Sequence, residues 1–289
     1  MRLLRFKGSG PETLGVLQGE SIVPLDGLEQ ELPTMLSIVR GGDKSLQRVR
    51  DHVRKKAARI PLSDVTLLAP IERPGKYLAI GMNYPKHVEE AARMGHGALP
   101  HQFWFNKQTT CIAGPFDPID PHVTEKLDYE VELGVVIGAA AKDVSAADAP
   151  AHVFGYVVAN DVSARDWQLH APSFTVGKSF DTHGPIGPWI VTADEIPDPL
   201  ALSLRCYVNG ELRQQAVTGE MIHSIWDQIA YLSTAFTLEP GDLLATGTPD
   251  GVGVAMTPPV FLEPGDVVRC EIDGIGAIEN RVERRGARS

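Results

Sequence analysis

Cysteine is scarce in this chain: Cys111, Cys206 and Cys270 stand far apart among 289 residues, with no C-x-x-C pair and no even count. That argues against a disulfide framework and suits a reduced, cytoplasmic protein. Positive charge is short as well. Twenty-seven Lys and Arg against 37 Asp and Glu give a formal net charge of -10, the wrong sign for nucleic acid, whose phosphates are bound by clustered cations. The two basic clusters, "RVRDHVRKKAAR" near residues 48–59 and the tail "RVERRGARS", read as solvated faces. No apolar run reaches the roughly 18 residues of a membrane span, and the start "MRLLRFKGSG" lacks the h-region of a secretory signal. Neither nucleic acid nor a membrane is expected as a partner; small molecules or other proteins are.

The common nucleotide and hydrolase signatures are missing too. "TVGKSF" carries the GKS of a phosphate-binding loop, but Pro172 stands where its first Gly is needed. There is no G-x-S-x-G, H-E-x-x-H or G-x-G-x-x-G, so serine hydrolase, zinc protease and dinucleotide-binding readings lose their supports. "GTPDGVG" has two turn-forming features, Pro and Gly, and no helix after it; it reads as a tight loop.

What is present is a chain with 43% hydrophobic residues, enough for a core built by burial alone. Residues 1–70 read as a small N-terminal α/β subdomain: short strands to about residue 35, then a helix-prone polar run over 43–59. Pro-rich "PLSDVTLLAPIERPGK" marks a boundary, and residues 71–289 form the second domain. From Tyr77 onward many β-like runs alternate with Gly and Pro turns. Helices are few: "YPKHVEEAARMG", ending at a Gly, and "MIHSIWDQIAYLSTAF", with Ile222, Ile225, Trp226, Ile229 and Leu232 at helical spacing. The fold class is therefore α+β and β-rich, not an alternating α/β fold.

One strand breaks the ordinary pattern. In "LDYEVELGVV", residues 127–136, Tyr129, Val131, Leu133 and Val135 face one way while Asp128, Glu130 and Glu132 face the other. Same-face residues in a strand lie about 6.6–6.8 Å apart, so Glu130 and Glu132 can lean toward one point. Two carboxylates about 4 Å apart repel by roughly 4 kcal/mol at an effective dielectric of 20. If buried, they must be protonated, paired with Arg or Lys, or metallated. A second acid, Asp161, ends the apolar run "FGYVVAND". All-oxygen ligation favours Mg²⁺ or Mn²⁺ over Zn²⁺. From the strand alone, a solvated acidic face and a buried ion site both stand; Asp128 reads as the structural member.

Taken together, these stretches resemble the fumarylacetoacetate hydrolase family from about Tyr77 to Val282. The resemblance rests on "GMNYPKHVEE", "DYEVELGVVIG", "NDVSARDWQ", "GKSFDTHGPIGPW", "VNGELRQ", "LEPGDLLATGTPDGVG" and "GDVVRCEIDGIG", in that order. It implies a mixed β-roll core, a homodimer, and a Mg²⁺ or Mn²⁺ ion on Glu130, Glu132 and Asp161. It also implies 2-oxo acid or diketo acid substrates and enolate chemistry. Lys178 matches the active-site lysine, and His87 and Glu90, three apart on a helix, match a dyad that activates water. Arg165, Gln168 and Thr248 match substrate-binding positions, and Tyr84 and Lys107 are counted with them, although Gln108 replaces the Pro that often follows that lysine. The dyad segment resembles a lid, with "RMGHGALPHQ" as a mobile connection. The expected activity is hydrolysis of a C–C bond in an acylpyruvate-like or diketo acid. A decarboxylase or isomerase of the oxaloacetate or 2-hydroxyhepta-2,4-diene-1,7-dioate type is the alternative, and a catalytically silent binding protein the third reading.

Overall fold

The computed structural model describes residues 1–95, 97 and 99–284. His96 and Ala98, in the stretch read as a mobile connection, and residues 285–289 of the basic tail lie outside the described residues. The protein is sheet-dominated α+β: a twelve-stranded mixed sheet, a separate four-stranded antiparallel sheet over residues 203–281, and few helices.

The middle of the large sheet is formed by Gly184–Thr192, Val153–Asn160, Val131–Ile137, Leu243–Ala245 and Tyr77–Gly81, in that spatial order. Most neighbours are antiparallel, while Leu243–Ala245 and Tyr77–Gly81 run parallel. Every residue of Val131–Ile137 and of Val153–Asn160 is buried, as the near-continuous Val and Ile content of these strands requires when both sheet faces are covered. Tyr129, Val131, Leu133 and Val135 enter one core cluster and Val136 another, on the opposite side.

The N-terminal segment is continuous with this sheet. Arg2–Lys7 pairs with Thr13–Gln18, with Thr66–Leu68 and, through Arg2 and Leu3, with Val191 and Ile190. The helix Met35–Lys55 is capped by Thr34, whose hydroxyl accepts the Ser37 N–H at 3.1 Å. It begins earlier than the 43–59 run suggested and kinks at Gly42, φ 52°. Its Met35, Ile38, Val39, Leu46, Val49 and Val53 pack with Leu3, Val16 and Ile190 in a shared cluster. The other helix read from sequence, Ile225–Ala235, starts at the Ser224 cap; Ile222 lies before it and is half exposed.

Candidate active site

The described elements converge at one edge of the large sheet: the start of Val131–Ile137, the ends of Val153–Asn160, Leu243–Ala245 and Tyr77–Gly81, and the start of Phe103–Asn106. The acidic strand is not one continuous strand. Leu127–Asp128 pairs with Ser163–Ala164, and Val131–Ile137 pairs with Val153–Asn160, leaving Tyr129 and Glu130 at the junction. There the Glu130 N–H donates to Asn160 Oδ1 at 3.0 Å and the Asp161 N–H to the Glu130 carbonyl at 2.9 Å. These two bonds bring Asp161, thirty-one residues away in sequence, beside Glu130.

Carboxylate oxygens of Glu130, Glu132 and Asp161 all lie within 4.8 Å of one another, and all three residues are buried. Around them Asp128 is fully buried and accepts from the N–H groups of Tyr129, Gly253 and Val254 at 2.9, 2.8 and 3.0 Å, and from Arg165 Nε at 2.9 Å. Lys178 Nζ bridges Glu130 Oε2 at 2.7 Å and Asp161 Oδ2 at 2.8 Å. Lys107 Nζ donates to Asp161 Oδ1 at 2.5 Å. Arg165 Nη2 stands 2.8 Å from Glu130 Oε1 but out of line for a hydrogen bond, and it is a buried donor with no partner.

The cluster is unevenly compensated. Burial pushes the Glu130 carboxyl up, but Lys178, Arg165 and His87 together hold it lowered to about 2. Among the described residues Glu132 has no cationic partner. Burial, then Asp161 and Glu130, drive its carboxyl well above the usual range, against the charge of Lys178 and the Gly247 N–H that donates to Oε2 at 2.8 Å. Four carboxylates, of Asp128, Glu130, Glu132 and Asp161, face three cations, Lys107, Lys178 and Arg165. One negative charge is left over, and Glu132 is the acid of the four that makes no ion pair among the described residues. A divalent cation held by Glu130, Glu132 and Asp161 fits that deficit, and these hard oxygen donors suit Mg²⁺ or Mn²⁺. With the ion in place the site carries one net positive charge, which one substrate carboxylate would balance.

The two lysines differ in what they have left to offer. Lys107 bonds Asp161, the Lys178 carbonyl and, at 3.5 Å, the Val162 carbonyl. An ammonium has three N–H donors, so none remains, and Lys107 lies behind the cluster, away from the cavity wall. In this arrangement Lys107 holds Asp161 and the Lys178 backbone, and it offers no remaining donor for the substrate contact expected of it. Lys178 uses two donors on acids and keeps the third, and it lines the cavity. Its position follows from Gly177, where an added Cβ would fall 2.3 Å from the Gln168 nitrogen, so only glycine lets this loop lie on the Arg165–Gln168 turn.

His87 and Glu90 meet on the helix Pro85–Arg93: His87 Nδ1 lies 3.0 Å from Glu90 Oε2. Glu90 Oε1 accepts the Gly251 N–H at 3.0 Å, so the carboxylate is fixed at both oxygens. A carboxylate only accepts, hence Nδ1 carries the proton and Nε2 is free. The loop "GTPDGVG" thus does the work of a clamp. Gly247, φ 100°, presents its N–H to Glu132, and Gly251, φ 98°, presents its own to Glu90.

A cavity of about 480 Å³ connects these groups; His87, Glu130, Arg165, Gln168, Lys178 and Thr248 all reach its wall. Gln168 Oε1 accepts from Arg165 Nη1 at 3.0 Å, fixing the guanidinium. The Thr248 hydroxyl donates to the Val131 carbonyl at 3.0 Å and accepts from Gln214 Nε2 at 2.9 Å. Tyr84 is buried at the start of the dyad helix, its hydroxyl without a hydrogen-bond partner among the described residues, and it is not among the residues that line the cavity. Sequence reasoning missed Gln214, which ties Thr248 to the acidic strand by also accepting the Val131 N–H at 3.0 Å. It missed as well the aromatic wall of Phe103, Phe105 and Phe174. Gln214 carries no local spacing signal, and the two-residue spacing of Phe103 and Phe105 does not point to Phe174.

Residues 76–283 match the family described as "Fumarylacetoacetate (FAA) hydrolase C-terminal", and residues 1–70 match "Rv2993c-like, N-terminal". The chain is 42% identical over 292 residues to "Oxaloacetate tautomerase FAHD2B, mitochondrial" of Bos taurus, covering 98% of this chain and 91% of that protein. Among solved structures it is similar to the fumarylacetoacetate hydrolase of Exiguobacterium antarcticum, with TM-score 0.85, 37% identity, and 99% and 100% of the two chains covered. It is also similar to the maleylpyruvate hydrolase of Sphingobium sp. SYK-6 in complex with manganese(II) and pyruvate, with TM-score 0.83, 32% identity and the same coverage. No helix among the described residues is long and apolar enough to cross a membrane.

Proposed function

The chain belongs to the fumarylacetoacetate hydrolase family, an enzyme family with hydrolase and tautomerase members, and on that premise we propose that it hydrolyses the C–C bond of an acylpyruvate-type 2,4-dioxo acid. The observation that carries this reading is the doubly anchored His87–Glu90 pair on the wall of the same cavity as the acid cluster. Hydrolysis needs a positioned base for water, and this base has its tautomer fixed.

A divalent ion, Mg²⁺ or Mn²⁺, held by Glu130, Glu132 and Asp161 would supply Lewis-acid polarisation of the 2-oxo acid. The protein's own groups do the rest. Arg165, whose Nη2 faces Glu130 at 2.8 Å without a hydrogen bond, receives the substrate carboxylate, Arg being suited to bind it through a planar fork. His87 Nε2 takes a proton from water, and the hydroxide adds to the distal carbonyl. The tetrahedral adduct then breaks the bond between that carbon and the methylene, and the electron pair becomes the enolate of pyruvate. The third Lys178 donor meets the enolate oxygen, and imidazolium His87 returns its proton to the methylene carbon. The products are a carboxylic acid and pyruvate. The resident ion, a homodimeric assembly, a cytoplasmic location and the division at residue 70 go with this proposal: the resemblance supports the assembly and the ion, the manganese in the maleylpyruvate hydrolase complex supports the ion, the two family matches support the division, and the location rests on the scarce cysteines alone.

A second reading, keto–enol tautomerisation of an oxaloacetate-type acid, is favoured by the 42% identity to a protein named oxaloacetate tautomerase. It would use His87 to move a proton between carbon and oxygen, with no water consumed. The test is product analysis with manganese-loaded protein. Cleavage of 2,4-dioxo acids to pyruvate, reduced about 10³-fold in His87→Ala, supports hydrolysis. Accelerated enol loss from oxaloacetate with every 2,4-dioxo acid left intact would replace it by the tautomerase reading.

A further inference from the structure

The cavity has two unlike ends. At the polar end Glu130, Arg165, Lys178 and Thr248 gather. Apart from His87 and Gln168 the rest of its described side-chain wall is apolar, and three aromatic rings form one side of it. Phe103 and Phe105 lie two apart on a strand paired with Tyr77–Gly81, so they share a face. Phe103 fits closely because its partner is Gly81, where an added Cβ would come 2.9 Å from the ring. Phe174 arrives from a separate loop, at φ 58°, and meets Phe103 edge-on with ring centroids 5.0 Å apart and Phe105 at 6.2 Å. Lys178 Nζ sits 5.1 Å over the Phe105 ring, where the polar end gives way to the aromatic one.

The charges in this cavity are already assigned. Among its described lining residues the only Lys and Arg are Lys178 and Arg165, and both are paired with Glu130. His87 is paired with Glu90. One carboxylate can be received at Arg165; a second, carried at the far end of a substrate, would meet Phe103, Phe174, Ile80 and Met94. A charge buried there without a partner is strongly disfavoured, whereas apolar surface is favoured. The volume, about 480 Å³, also exceeds what a four-carbon acid fills.

We infer that the substrate is a monocarboxylate whose distal acyl substituent is apolar, an aryl group or a medium-length alkyl chain, seated on the Phe103–Phe105–Phe174 wall. This rests on the acylpyruvate reading above. It sets the protein apart from enzymes whose substrates are diacids, such as maleylpyruvate or oxaloacetate.

The test compares kcat/KM of the manganese-loaded protein on 2,4-dioxo acids that end in methyl, pentyl, phenyl or carboxyethyl groups. Calorimetry of 2-oxo-4-phenylbutanoate against 2-oxoglutarate adds a binding arm. The expected result is phenyl and pentyl about tenfold or more above methyl, carboxyethyl below methyl, and the aryl acid bound tighter than the diacid. Phe174→Arg should reverse the aryl-to-diacid ranking; should that variant not fold, the wild-type panel decides alone. Cleavage with the diacid preferred, or with methyl equal to phenyl, overturns the inference and leaves the hydrolase reading standing. If no acid is cleaved, the hydrolase reading falls, and the calorimetric ranking alone upholds or overturns the apolar subsite. If neither acid binds, both fall.

Discussion

The floor and the wall of this cavity are built on opposite plans. The floor is a polar cluster on strand ends, where Lys178 and Lys107 hold Glu130 and Asp161 while Arg165 and two backbone N–H groups hold Asp128, through bonds of 2.5–3.0 Å. The wall is apolar and comes from separate segments: the Phe103–Asn106 strand, the loop carrying Phe174 and the helix carrying His87. A floor of this kind fixes chemistry, because every donor direction is determined before substrate arrives. A wall of this kind fixes which substrate fits, and it can be changed residue by residue without disturbing the ion site.

That contrast can be broken at the floor first. Chelation of the divalent ion should lower turnover by about 10⁴-fold, the consequence of losing several kcal/mol of Lewis-acid stabilisation, measured as kcat before and after dialysis against EDTA and again on adding Mn²⁺. Within the floor, the two lysines separate chemistry from support. Lys178→Met should cost about 10²-fold in kcat with a small change in KM. Lys107→Met should show mainly in denaturant melts, at about 1–3 kcal/mol, because it removes one of the two lysines on the buried Asp161 and leaves the Lys178 carbonyl without its donor. Equal kcat losses with unchanged stability in both would erase the distinction drawn from their donor counts. At the wall the effect is smallest: Phe103→Leu should raise KM for an aryl-ended substrate a few-fold, about 1 kcal/mol of lost contact, and leave kcat close to wild type. A wall substitution that instead lowered kcat would show that the two regions are not separable.

How much of this was legible in the sequence follows the same division. The floor was readable where a local period carries it. Alternation put Glu130 and Glu132 on one face and an apolar run ended at Asp161, but the choice of an ion site over a solvated face, and of a His87–Glu90 dyad over polar helix surface, came from the family resemblance. It was unreadable where backbone N–H groups do the work, as at Gly247 and Gly251, or where burial decides, as for Lys107. The acidic run reads as one strand but is broken at Tyr129 and Glu130, because its two halves pair with different partners. The strands of residues 1–70 read as a separate unit, yet Arg2–Lys7 hydrogen-bonds into the main sheet at Val191 and Ile190. Long-range pairing leaves no trace in local composition, and for the same reason the wall, gathered from residues seventy positions apart, had no spacing to reveal it.

The central claim is that Glu132, the one acid of the cluster without an ion pair among the described residues, is there to hold a divalent ion with Glu130 and Asp161. Calorimetric titration of Mn²⁺ into metal-free wild type and Glu132→Gln tests it most directly. The account predicts one site per wild-type chain and an affinity lower by about 100-fold or more in the variant. Wild-type protein that takes up no ion, or a variant that binds it equally well, would contradict it.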